Sequence, residues 1–95
     1  IREKQGRSLK NKAREKLNRQ ALRQLKTRAQ EAEKAVGSKE AEIAKLEAQM
    51  ADPALYSDAQ KAADVQRVYQ KAQQELQTLY EQWEAAEAAL SQEDD

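Results

Sequence analysis

The residues best suited to chemistry in this sequence are basic ones near its start. Lys12, Lys16, Arg19, Arg23 and Lys26 are spaced four, three, four, three. On a helix this spacing gathers them into one stripe within about an 80° sector. No acidic residue interrupts the stripe, whereas an ordinary solvated helix face mixes signs so that i,i+4 pairs form. Arg7, Lys10, Arg14 and Arg28 fall on another side, so this stretch is basic on more than one face. A row of cations matches the row of negative charges along a phosphate backbone. Contacts of that kind give affinity and positioning with little base specificity. The candidate binding residues are therefore Arg7, Lys10, Lys12, Arg14, Lys16, Arg19, Arg23 and Lys26. The expected partner is the phosphate backbone of DNA or RNA. No aromatic residue is interleaved with them, which argues against base stacking by this stretch.

The formal net charge of zero conceals this concentration. Residues 1–28 hold eleven Lys and Arg against Glu3 and Glu15, a net +9. Residues 29–95 hold six basic and fifteen acidic residues, a net −9. Fields act locally, so a basic arm on an acidic body is a statement about partners.

Other chemistry is missing. There is no Cys and no His, which removes thiol catalysis, disulfides and the usual zinc sites. Neither a phosphate-binding loop nor a nucleophile-elbow motif occurs. The chain is expected to be non-enzymatic, with no metal or cofactor of its own. No apolar run approaches the ~20 residues that span a bilayer. No membrane contact and a cytoplasmic location are the expectations. The sequence begins at Ile1 and not at Met, which points to a piece of a longer protein.

The elements that position the stripe are helices. Ala62, Val65, Tyr69, Ala72, Leu76, Leu79, Trp83, Ala86 and Leu90 alternate spacings of three and four, a heptad seam with Gln, Glu, Lys and Arg between. Leu22, Leu25, Ala29, Ala32, Val36, Lys39, Ile43, Leu46 and Met50 form a second seam, with one polar member. Pro53 restricts Asp52 and ends the first helix. Ser57 with Gln60 reads as a capping box that opens the second. Leu55 and Tyr56 are too apolar for a free loop and are expected to fold over the tip. A short turn between long helices makes them antiparallel neighbours and favours a monomer.

The expected fold is an all-α, antiparallel two-helix coiled-coil hairpin with a longer, basic first helix. Residues 1–20 form a partly helical arm or linker. Helices occupy about 21–51 and 58–91, with the turn at 52–57. Opposing seam residues would pair Met50 with Ala62, Ile43 with Tyr69, Val36 with Leu76, Ala29 with Trp83 and Leu22 with Leu90. Lys39 would face Ala72. Gly37-Ser38 predicts a bend or fraying around Val36–Lys39, with a full break as the alternative, since Gly is a poor helix former.

The segment from Glu42 to Asp58, with its Met50-Ala51-Asp52-Pro53-Ala54-Leu55-Tyr56 turn, and the later Leu79-Tyr80-Glu81-Gln82-Trp83-Glu84 resemble the C-terminal coiled-coil domain of Uup-type ABC-F proteins. The likeness covers about residues 36–91, and Gly37-Ser38 departs from the family's usual Glu/Leu-rich helix. It implies a soluble parent with two ATP-binding cassettes, ATP bound there and not here, and a role in translation on ribosomes. It further implies that this domain is a nucleic-acid-binding accessory whose basic arm meets DNA or ribosomal RNA. Two other readings stand beside it. One is a structural or protein-interaction coiled coil whose tip and second helix make the contacts. The other is the N-terminal helical region of a peptide-chain release factor, which has a similar Asp-Pro turn but which the basic arm fits poorly.

Overall fold

A computed structural model describes the backbone of residues 2–93 and the side chains of residues 11–92. Two helices and a short connection account for it. Helix α1 spans Arg2–Ala51, a single turn of 3-10 helix spans Pro53–Ser57, and helix α2 spans Ala59–Glu93. The helices lie side by side, antiparallel, in a rod of 84 × 18 × 14 Å. Among the described residues there is no strand, and no helix is long and apolar enough to cross a membrane.

Burial follows the two heptad lines. All nine residues of each seam are buried or half-buried, with Ala35, Glu75, Tyr80 and Ala89 half-buried on the flanks. The core is thin: Ala29, Val36, Ile43, Leu55 and Ala72 are its only buried members among the described residues. A two-helix rod has no third element to cover the seam edges, so burial stays partial along most of its length.

The turn is built by local bonds. Asp52, extended at φ −80° and ψ 116°, stands before Pro53, whose ring excludes helical geometry there. Its carboxylate accepts from Ala54 N at 3.0 Å and its carbonyl from Leu55 N at 3.1 Å. Leu55 turns inward and closes the tip of the core. Ser57 and Gln60 do not form the expected capping box. Ser57 Oγ donates to Ala54 O at 2.7 Å, inside the 3-10 turn, and Gln60 Nε2 donates to Asp64. The cap is Asp58, extended at φ −120° and ψ 99°, whose Oδ1 accepts from Lys61 N at 3.1 Å. The extra 3-10 turn moves the helix start one residue on, and Asp is as good an N-cap as Ser.

Tyr56 meets the expectation in part: the residue is 59% exposed, but its side chain folds back to the end of α1 at Met50. With Leu55 facing the core, the tight 3-10 turn points the next side chain outward. The hydroxyl reaches back and donates to Met50 O at 2.7 Å, satisfying one of the carbonyls left open at the end of α1.

Helix α1 passes through Gly37-Ser38 without a break. Seam residues on both sides, Val36 and Lys39, remain engaged with α2. Tertiary packing outweighs the roughly 1 kcal/mol helix cost of a single glycine. The first twenty residues, expected to be partly helical, continue the same helix from Arg2.

Candidate nucleic-acid interface

Two cross-helix bonds hold the middle of the rod in register. Lys39 Nζ donates to Glu75 Oε2 at 2.6 Å and to Glu42 Oε2 at 2.8 Å. Tyr80 OH donates to Glu40 Oε2 at 2.9 Å. Lys39 thus fills the one polar seam position with its stem inside and its ammonium between two carboxylates, its side chain 19% exposed. Its hydrogen bond to Glu42, and then that to Glu75, raise its pKa above the ordinary lysine value. The hydrogen bond from Lys39 lowers that of Glu75. The bond to Glu40 raises that of Tyr80. One polar atom at the seam is left over: Trp83 Nε1 is buried without a hydrogen-bond partner.

This register determines what happens at the open end. Every residue from 11 to 21 is exposed, and half-burial begins only at Leu22. The first helix therefore runs on past the paired part of the rod as a single helix. Leu17, 64% exposed, shows that nothing packs against it.

The stripe residues Lys12, Lys16, Arg19, Arg23 and Lys26 all lie exposed on this extension and on the first paired turn. Lys16, Arg19, Gln20 and Arg23 line one shallow surface groove, and Arg23, Gln24, Thr27 and Arg28 line another beside it. Among the described residues, no carboxylate comes within ion-pair distance of any of the five. The ion pairs that do form lie in the paired rod, at Lys39 and at Arg67 with Asp64. Arg14 is exposed on the extension as well. The side chains of Arg7 and Lys10 lie outside the described residues, as do Asp94 and Asp95 of the acidic tail.

Arg28, on another side of the helix from the stripe, borders the same groove as Arg23 with Gln24 and Thr27 between them. Gln20, Gln24 and Thr27 join the basic surface and carry no charge signal by which to find them. Among the described residues, no cluster of three or more Asp or Glu side chains is gathered to hold a metal ion. The arrangement thus offers a cationic helical surface whose described donors have no carboxylate partner.

Residues 16–88 fit the model of a family described as the ABC transporter C-terminal domain. No curated protein and no solved structure matches the chain.

Proposed function

The chain belongs to the ABC transporter C-terminal domain family, and from that premise we propose that it is a non-catalytic accessory domain that binds nucleic acid through the phosphate backbone. The observation that carries this reading is the extension of α1. It holds Lys12, Lys16, Arg19 and Arg23 in the open with no carboxylate partner, while the paired rod behind it is acidic. Cations already neutralised by neighbouring carboxylates release few counterions on meeting phosphate, and unpaired ones drive binding. The acidic rod repels the same polyanion and directs it to the arm.

The proposal includes the parent. The resemblance of the turn and of the Leu79–Glu84 segment supports a soluble ABC-F protein of the cytoplasm whose ATP sites lie in cassettes outside this chain. Such a parent would be an ATPase acting on the ribosome, and this domain would contribute a contact to DNA or ribosomal RNA without sharing the catalysis. Within that scheme the hairpin acts as a monomer.

The test is binding of labelled duplex DNA and structured RNA to the 95-residue chain and to a variant with Lys12, Lys16, Arg19 and Arg23 changed to Glu. The expected result is a loss of at least about a hundredfold, because four attractive charges become repulsive. All four side chains are exposed, so helicity should persist and report that the variant folds. Unchanged binding in this variant would contradict the arm as the binding surface, and absence of nucleic-acid binding by the unaltered chain would favour a protein-interaction coiled coil.

A further inference from the structure

The extension of α1, together with its first paired turns, is basic along two edges, not one. With Lys12 and Arg23 taken as one edge, Arg14 and Arg28 stand about 160–200° around the helix from it. All four are exposed. Between the edges, at about 60–140°, lie Ala13, Leu17, Gln20, Gln24 and Thr27. This face carries no charge and turns away from α2, since the seam residues Leu22, Leu25 and Ala29 point the other way. The groove in which Gln24 and Thr27 sit between Arg23 and Arg28 is one section of this arrangement. Leu17, the most exposed large apolar residue described, sits on the same face with nothing covering it.

A helix that follows one phosphate strand along its outside needs cations on one side only. Cations on opposite sides of an uncharged face suit a helix with phosphates on both flanks and something less polar beneath. The major groove of B-form DNA has that form: it is about 12 Å wide, it admits a helix about 10–12 Å across, and its floor presents base edges and thymine methyl groups. Gln is suited to adenine edges there, and apolar side chains to the methyl. The major groove of A-form RNA is too deep and narrow to take the helix. The stretch from Lys12 to Arg28 is about 24 Å long, within one turn of duplex.

Resting on the phosphate-binding reading above, we propose that the extension of α1 seats lengthwise in the major groove of B-form DNA. Its two basic edges each hold one phosphate strand, and Ala13, Leu17, Gln20 and Gln24 face the base edges. The end of α2 beside Leu22, Leu25 and Ala29 then lies on the far side of α1 from the duplex, so the contact is confined to α1.

The experiment measures binding of the 95-residue chain to a 20-base-pair DNA duplex and to an RNA duplex of the same sequence. It is repeated over a salt series and accompanied by methylation protection of guanine N7, which lies in the major groove. The expected result is DNA bound at least about tenfold tighter than duplex RNA, with guanines protected over less than one turn. Arg14→Glu with Arg28→Glu should weaken DNA binding by about as much as Lys16→Glu with Arg23→Glu, each pair lowering the salt slope by about 2. Equal affinity for duplex RNA, unprotected guanines, or wild-type binding by the Arg14/Arg28 variant would overturn the two-sided seating. In each of those cases phosphate binding itself would survive. Failure to bind any nucleic acid would overturn both readings.

Discussion

At the scale of single residues, three positions show how local chemistry sets the shape of the rod. Gly37 is exposed inside a continuous helix, and a Cβ added there would meet nothing within 4 Å. It has no positive φ to require glycine. Gly37→Ala should therefore stabilise the hairpin by about 0.5–1 kcal/mol, seen as a rise of several degrees in thermal midpoint. Asp58 is the cap that the sequence pattern assigned to Ser57. Asp58→Ala should cost about 1 kcal/mol, whereas Ser57→Ala should cost less than about 0.5 kcal/mol, and urea unfolding of the two variants distinguishes them. Serine and aspartate are both strong caps, so residue type alone did not decide between neighbours; the 3-10 turn did. The same turn explains why Leu55 is buried at the tip while Tyr56 stays exposed and reaches Met50 only through its hydroxyl. Hydrophobicity marks both as burial candidates, and only the local backbone shows which of two adjacent side chains faces inward.

At the scale of the elements, the two helices are joined by a seam with one charged member. Lys39 meets Glu75 across the interface, and both titrate in directions that tie this contact to pH. Glu75 has its pKa lowered in the folded state. Its contribution is present above the ordinary value of 4.5 and is lost as the pH falls through the folded value. Lys39 has its pKa raised, so its contribution is present below 10.5 and is lost as the pH rises through the folded value. Tyr80, raised by its bond to Glu40, adds to the alkaline loss. Thermal midpoints should hold level between these limits and decline beyond both. In Glu75→Gln the decline from pH 7 to pH 3 should be smaller than in the wild type; identical declines would show that the bond contributes nothing. Both seams were legible because a 3.5-residue period is visible in any chain with few apolar residues off the line. Continuity through Gly37 was not, because propensity argues for a weak point while the phase of the seam argues against one. Packing settles that contest.

At the scale of the whole molecule, the rod is unequal. Its second helix ends at Glu93 while the first continues past the paired region, and the positive charge is concentrated on the part left over. The extension is legible because the first seam begins only at Leu22, and the stripe from its four-three spacing. The uncharged face between two basic edges was not, since Gln and Thr give no pattern until the helix is known to be continuous and unpartnered there. The domain is thus a thin acidic mount that presents a single basic helix, consistent with an accessory part of a larger ABC protein. The most direct test is the dependence of nucleic-acid affinity on salt for the intact chain. The five stripe cations without carboxylate partners predict that log K falls linearly with log salt at a slope of at least about −4 on duplex DNA, steepening to about −6 with Arg14 and Arg28 also on phosphates. A slope near zero, or affinity that does not respond to salt, would contradict the assignment of the basic extension as the binding surface.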